Sequence, residues 1–137
     1  MEVLVNHLGD VQFEIKARKH TVYCDQPVEA GGYDEGMTPP EFFLGSIGAC
    51  AGHYAAEYAK SRKLLTAGMQ IRVTAEKVKG PARLDDITIE VHYPGVLEEQ
   101  HREGLLRAVH TCLIHNTLLN PPKITTKIVA HDAALAA

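Results

Sequence analysis

The segment LGSIGACAGHYAAEYA, residues 44–59, places a cysteine in a stretch with few large side chains. Its glycines at positions 45, 48 and 52 each cost a helix roughly 1 kcal/mol relative to alanine. Three such residues in one helix indicate that another part of the molecule packs very close to it. We therefore expect the segment to belong to a central helix that another backbone crosses at short range.

A start signal for a helix precedes this segment. In TPPE, Thr38 is suited to cap a helix, Pro39 fits the first helical position, and Glu41 lies three residues after the cap, as in a capping box. Nothing in the sequence that follows forbids a helix until about Lys63. The sequence therefore predicts one long helix between Thr38 and Lys63.

Alternating patterns on both sides of this helix predict antiparallel strands. Three short stretches before it and two long ones after it alternate apolar and polar residues, which is typical of strands with one buried face. Leu8, Gly9 and Asp10 supply the turn of a hairpin between the first two strands. A loop rich in Gly and Pro, residues 26–40, leads into the helix, and such a loop in a compact domain is often functional.

The C-terminal part of the chain predicts further helix and a last strand. Residues 96–120 have a helical pattern with a break near His110. KITTKIVA, residues 123–130, alternates like a strand, and the HDAALAA that follows forms a tail. The order β-β-β-α-β-β-α-β in one domain of residues 1–137 predicts an α+β fold with helices packed against antiparallel sheets.

The composition argues against several classes of partner. The net charge of −3 does not provide the basic face that nucleic acids and anionic membranes require. No apolar run approaches the roughly 18 residues of a membrane span. The N-terminal MEVLVNHLGD also lacks the pattern of a secretion signal. We therefore expect a cytoplasmic protein that has no nucleic-acid or membrane partner.

Cys50 and Cys112 are the candidates for chemistry, and Cys24 is expected to be a bystander. An odd, small number of cysteines does not indicate a disulfide scaffold. His53 lies at i+3 from Cys50, on the same helix face, and a nearby imidazole lowers the pKa of a thiol. Two central helices that cross could bring Cys50 and Cys112 to the Cα separation of about 5.5–6 Å that a disulfide needs. Alternatively, each cysteine is a small buried hydrophobe.

The surroundings of Cys112 suggest a second way to activate a thiol. Thr111 is a possible N-cap, and if a helix restarts there, the thiol faces unpaired backbone N–H groups that favour a thiolate. Cys112 would otherwise fill the core beside Val109 and Leu113.

A metal site is the competing interpretation of the same residues. CAGH and CLIH each place a cysteine and a histidine three residues apart on a predicted helix. Together Cys50, His53, Cys112 and His115 form a Cys₂His₂ set, which zinc accepts in tetrahedral geometry. In a third interpretation the thiols are inert, and the loop Ala30–Gly36 closes over a small ligand.

The segments GGYDEGMTPPEFFLGSIGAC, residues 31–50, and AVHTCLIHNTLL, residues 108–119, resemble the OsmC/Ohr superfamily, and its OsmC-like branch in particular. The shared features are the glycine pair, the proline and glutamate before the first cysteine, and a second cysteine in a later helix. The resemblance covers nearly the whole chain. It implies an intertwined homodimer in which antiparallel sheets from both chains wrap two central helices.

The resemblance also implies a thiol-dependent peroxidase that contributes to oxidative stress defence. Cys50 would attack the O–O bond of an organic hydroperoxide and become a sulfenic acid. Cys112 would then form a disulfide with it, and an external dithiol or a lipoyl-type protein would reduce that disulfide. Glu41 and Arg18 would complete the site, and no cofactor is implied. His53 as an activating group is our own inference from spacing. The alternative function is a non-catalytic OsmC-like protein that binds a metal or a small ligand.

Overall fold

Residues 1–130 are described by a computed structural model, and the predicted tail at residues 131–137 lies outside this range. Its elements follow the predicted order as far as the second helical region. Within residues 1–130, none of the helices has the length and the apolar character needed to cross a membrane. In chain order the elements are β1 (Leu4–Gly9), β2 (Gln12–Ala17), β3 (His20–Cys24), a 3₁₀ turn (Val28–Ala30), α1 (Pro39–Ser61), β4 (Gln70–Lys79), β5 (Ala82–His92), α2 (Glu99–His110) and α3 (Leu113–Leu119).

The first three strands form one antiparallel sheet in the order β1-β2-β3. The predicted hairpin is confirmed, and its turn requires the positive φ angles of Gly9 (145°) and Asp10 (45°). The register runs from Leu4 opposite Lys16 to Gly9 opposite Gln12. The sheet leads through the loop into α1, which itself packs mainly against α2, α3, β4 and β5.

The long helix α1 starts where the sequence predicts. The carboxylate of Glu41 accepts hydrogen bonds from the backbone N–H of Thr38 at 2.7 Å and from its hydroxyl at 2.8 Å. Pro39 takes the first helical position. These contacts satisfy donors that a helix start leaves open, and they fix the direction in which α1 leaves the loop.

The small residues of α1 are divided between two neighbours. A Cβ at Gly48 would lie 3.1 Å from Val73 Cγ2, and one at Gly52 would lie 3.1 Å from Ile71 Cγ1. The glycines thus admit side chains of β4. The expected close neighbour of α1 is confirmed at these glycines as strand β4, but the nearest atoms belong to its branched side chains and not to its backbone.

The second helix meets a different face of α1. Ala51 and Ala55 are buried against Leu105 and Val109 of α2, and together they form the core of the molecule. The long antiparallel hairpin of β4 and β5 covers this core with side chains such as Ile89. Alanine on one face and glycine on another let α1 hold a helix and a sheet at once.

The predicted final strand is wrong for this chain taken alone. Residues 121–130 pair with none of the described strands. Ile124, Ile128 and Val129 are 85%, 96% and 72% exposed. A strand needs a neighbouring edge to satisfy its N–H and C=O groups, and none of the described strands of the same chain pairs with this segment. The alternating pattern therefore indicates a segment that is able to pair as a β-strand but does not pair within the single chain.

Candidate functional site

The two cysteines singled out in the sequence lie side by side. Cys50, half-buried in α1, and Cys112, fully buried between α2 and α3, are both free thiols. The two thiols are neighbours, and each shifts the pKa of the other. The contact forms because α1 packs against both later helices, whose junction carries Cys112.

Hydrogen bonds to the Cys50 sulfur favour its thiolate form. Burial alone raises the pKa of this thiol. The hydrogen bond from the Cys112 thiol, followed by those from the backbone N–H groups of Ile114 and Leu113, outweighs burial and leaves the pKa below its ordinary value. All three donors stabilise negative charge on the sulfur. Cys50 is thus the more nucleophilic thiol of the pair.

Cys112 has the opposite character. Burial raises the pKa of the Cys112 thiol, and the hydrogen bond that it shares with Cys50 raises it further. The backbone N–H of His115, whose nitrogen lies 3.5 Å from Cys112 Sγ, opposes this shift without reversing it. The pKa of Cys112 therefore lies above that of Cys50, so Cys50 is the first of the two thiols to lose its proton as the pH rises.

The backbone hydrogen-bond donors to Cys50 are N–H groups at the start of α3, which the sequence predicts to face Cys112. The predicted break near His110 is confirmed, but the N-cap of α3 is Cys112 itself. The Thr111 hydroxyl instead donates back to the Ala108 carbonyl at 2.7 Å. The expected backbone N–H groups are present, yet two of them face Cys50. A helix break just before a second cysteine is the sequence signal that could have indicated them.

Cys50 is expected to react with iodoacetamide before Cys112, and at lower pH than an ordinary thiol. Because its pKa is lowered, the alkylation rate should rise with pH and level off earlier than that of a free cysteine. Peptide mapping across a pH series measures this rate for each cysteine. Replacing Cys112 with alanine removes one donor and should move the Cys50 profile to higher pH. Preferential alkylation of Cys112 would contradict this assignment.

His53 is not among the groups that activate Cys50. Its side chain is exposed and lies with Nε2 3.6 Å from a carboxylate oxygen of Glu57, one helical turn further on. Its ring also meets Tyr54 edge to face, with centroids 5.3 Å apart. The interpretation from spacing fails here because sharing a helix face at i+3 does not decide which way an imidazole turns.

Glu41 and Arg18 likewise have other positions. The Glu41 carboxylate is engaged at the start of α1, where its bonds to the backbone and hydroxyl of Thr38 hold its pKa below the usual range. Arg18 is exposed in the turn between β2 and β3, at a φ of 55°. Within this chain neither side chain is a hydrogen-bond partner of Cys50.

The Cys₂His₂ alternative is not assembled. In the described part of the chain, no group of three or more His, Cys, Asp or Glu side chains is placed to hold a metal ion. His53 turns to Glu57, and the His115 ring lies beside His110, with centroids 5.3 Å apart. The two C-x-x-H motifs therefore bring their cysteines together, but their histidines lie beside other residues.

A buried carboxylate that the sequence does not single out organises the loop before α1. Asp25, which is 1% exposed, accepts hydrogen bonds from the backbone N–H groups of Gln26 (2.8 Å), Tyr33 (3.0 Å) and Glu35 (3.1 Å). Gln12 adds a side-chain donor at 3.1 Å. Burial raises the pKa of Asp25, but these bonds outweigh it and lower the pKa overall. The loop is thus tied to the first sheet, contrary to its interpretation as a lid.

Comparison with known protein families gives one clear match. The model of the OsmC-like protein family matches residues 32–127. This range covers more than two-thirds of the chain and contains both Cys50 and Cys112. None of the curated proteins compared with the chain is similar enough in sequence to count as a match.

Solved structures agree with this fold at low sequence identity. A proposed osmotic stress induced and detoxification response protein from Psychrobacter arcticus has a TM-score of 0.77 and 19% identity, over 84% of this chain and 85% of that one. An OsmC-like protein from Mycoplasma pneumoniae has a TM-score of 0.72 and 20% identity, over 88% and 87%. An organic hydroperoxide resistance protein from Legionella pneumophila has a TM-score of 0.65 and 16% identity, over 86% and 89%. At these identities the likeness establishes the fold alone.

Proposed function

The chain belongs to the OsmC-like protein family, and we propose on this basis that it reduces organic hydroperoxides with the Cys50–Cys112 pair. The observation that carries the proposal is that a thiol of lowered pKa in α1 neighbours a thiol of raised pKa at the junction of α2 and α3. A peroxidase that works through a disulfide needs a thiolate to attack and a second thiol within reach to resolve the product.

The first step uses the thiolate of Cys50. Its sulfur attacks one oxygen of the hydroperoxide, so that an S–O bond forms while the O–O bond breaks. The peroxide is reduced by two electrons, its alkoxide takes up a proton and leaves as an alcohol, and Cys50 becomes a sulfenic acid. The N–H groups of Ile114 and Leu113 hold the attacking sulfur in its ionised form.

The second step uses the proton and the sulfur of Cys112. The sulfur of Cys112 attacks the sulfenic sulfur, an S–S bond forms, and hydroxide leaves as water with the Cys112 proton. An external dithiol, either a small molecule or a lipoyl-type protein, then returns two electrons and two protons by thiol–disulfide exchange. The raised pKa of Cys112 supports this order of events, because Cys50 ionises before Cys112 and is therefore the thiol that attacks the peroxide first.

The experiment that tests the proposal weighs the intact protein. Reduced protein is mixed with one equivalent of cumene hydroperoxide for seconds, quenched with acid and mapped by mass spectrometry. We expect the protein to lose two hydrogen atoms, with the new bond localised to Cys50 and Cys112. Unchanged thiols under these conditions would refute the proposal, and a disulfide that involves Cys24 would refute the assignment of the pair.

We further propose that the working form is a homodimer. Large apolar side chains of the first sheet and of residues 121–130 are exposed in the single chain, among them Leu4, Val22 and Ile128. Exposed strands with apolar side chains are ordinarily covered or paired. A second copy of the chain would supply both the cover and the missing strand edge.

In sedimentation analysis the protein should have twice the 15.0 kDa mass of one chain. Replacing Ile128 with aspartate puts a charge on an apolar side chain that is 96% exposed in the single chain, so it should shift the protein towards monomer only if a partner covers that residue. Thr125→Asp is the matched control, since it adds the same charge to the same segment at a polar position. A monomeric parent protein, or equal effects of the two variants, would contradict this model.

A further inference from the structure

A cleft of about 630 Å³ lies between β5 and α2, apart from the two thiols. Neither Cys50 nor Cys112 lines it. Its long walls are apolar, with Ile89 on the strand and Leu105 and Val109 on the helix. Cavities of roughly 300–1,000 Å³ with apolar walls and a few polar groups are typical of small-molecule sites in proteins.

One end of the cleft has two imidazoles without a function in the proposed reaction. His110 ends α2 and His115 lies in α3, with ring centroids 5.3 Å apart. Nδ1 of His115 is buried and has no hydrogen-bond partner among residues 1–130. Buried polar atoms are nearly always paired, so an unpaired one in a residue that lines a cavity indicates a missing partner.

The ionisable side chains of the lining select the kind of partner. They are Arg102, at the other end of the α2 wall, and the two histidines; no aspartate or glutamate is among them. Arg102 is already paired with Glu99, with 3.3 Å between Nε and the carboxylate oxygen. His110 and Arg102 are eight residues apart on α2, which separates the two ends by about 12 Å. The cleft is therefore an elongated apolar slot with hydrogen-bonding imidazoles at one end.

We propose that this cleft binds an amphipathic monocarboxylate. The apolar body of the ligand lies along Leu105 and Val109, and its carboxylate accepts a hydrogen bond from the imidazole of His115, with His110 beside it. Neutral imidazole can carry its proton on either nitrogen, so Nδ1 of His115 can serve as the donor. The proposal concerns a site separate from the thiols, and it stands or falls independently of the peroxidase reaction.

Calorimetric titration of the full-length reduced protein with octanoate tests the proposal. 1-Octanol and octylamine are the matched probes, because they keep the chain length and change only the polar group. We expect octanoate to bind at least about tenfold more tightly than 1-octanol, since a charged acceptor strengthens the hydrogen bond. Equal binding of the three probes, or no binding of octanoate up to about 1 mM, would overturn the proposal.

Two variants locate the binding site. His115→Phe keeps a ring and removes the nitrogen, and should weaken octanoate at least about tenfold while leaving 1-octanol nearly unchanged. Leu106→Trp narrows the mouth of the cleft at a side chain that is 59% exposed, and should weaken both probes without disturbing the core. His92→Phe, outside the cleft, is the control and should bind as the parent does.

The same titrations decide between a small molecule and a second copy of the chain as occupant. If another chain filled the cleft, octanoate would bind more weakly as the protein concentration rises, and this result would overturn the proposal. Octanoate affinity that is independent of protein concentration and lost in Leu106→Trp would support it.

Discussion

Replacing Cys50 with serine is expected to lower hydroperoxide consumption at least about a hundredfold. A serine hydroxyl is not ionised at neutral pH, so the hydrogen bonds from Leu113 and Ile114 would have no thiolate to stabilise. The rate is measured as loss of cumene hydroperoxide in the presence of an excess of a small dithiol. A variant that consumed the peroxide at the parent rate would remove Cys50 from the mechanism.

Cys112→Ser separates the two chemical steps. A serine hydroxyl can still donate to Cys50, so the first turnover should proceed, but no disulfide can close. The sulfenic acid should then accumulate, and a carbon nucleophile such as dimedone should trap it on Cys50. Cys24→Ser is the control, because Cys24 ends β3 in the first sheet and its pKa is shifted by burial and by Asp25 but not by either thiol of the pair; it should retain the parent rate.

Gly104→Ala is expected to destabilise the fold by about 1–3 kcal/mol, although alanine is the better helix former by about 1 kcal/mol. A Cβ at this position of α2 would overlap the phenol of Tyr58 on α1. The Tyr58 ring cannot easily yield, since its hydroxyl oxygen lies 3.3 Å from His101 Nδ1 and the Arg62 guanidinium sits 3.8 Å from its centroid. Urea unfolding at fixed protein concentration measures the change in free energy of unfolding.

A double-mutant cycle isolates the cause of this effect. In a Tyr58→Leu background the overlapping phenol is gone, so Gly104→Ala should become neutral or stabilising by about 1 kcal/mol. The specific expectation is that the effect of Gly104→Ala on the free energy of unfolding changes sign, because the loss of an ordinary packing contact would not change the sign of this effect. An equal cost of Gly104→Ala in both backgrounds would show that the close approach of α1 and α2 is not what requires glycine.

Much of the fold follows from local signals that act over a few residues. The hairpin turn at Gly9 and the start of α1 at Thr38 are set by chemistry within the adjoining segments, so the sequence predicts them correctly. The neighbours of the glycines in α1 are not local. Gly48 and Gly52 indicate that another element packs closely against α1. The sequence of α1 does not show that this element is β4, which lies about twenty residues further on.

The missing last strand is a different kind of failure. Alternation in residues 123–130 describes a segment with one apolar face, and this property belongs to the sequence. Pairing depends on a second strand edge, and within one chain none of the described strands pairs with this segment. The pattern and the structure are both satisfied if the edge comes from another molecule, as the proposed dimer provides.

The sequence predicts which two cysteines form the candidate site, but not which groups lower the pKa of Cys50. Two cysteines in packed helices suffice to suggest the meeting of Cys50 and Cys112. The helix break near His110 indicates unpaired backbone N–H groups, but it does not show that those of Leu113 and Ile114 face Cys50 rather than Cys112. His53 shares a helix face with Cys50 by spacing, yet its imidazole lies beside Glu57. Spacing alone does not determine the rotamer of a side chain.

The division of α1 into faces limits how this helix can change over generations. Substitutions at Gly48 or Gly52 are resisted by the branched side chains of β4, and those at Ala51 or Ala55 by α2. At Gly45 nothing among the described residues lies within 4 Å of an added Cβ. The fold of one chain therefore does not require glycine at position 45. If glycine proves to be required there, the contact that requires it must come from a neighbouring molecule.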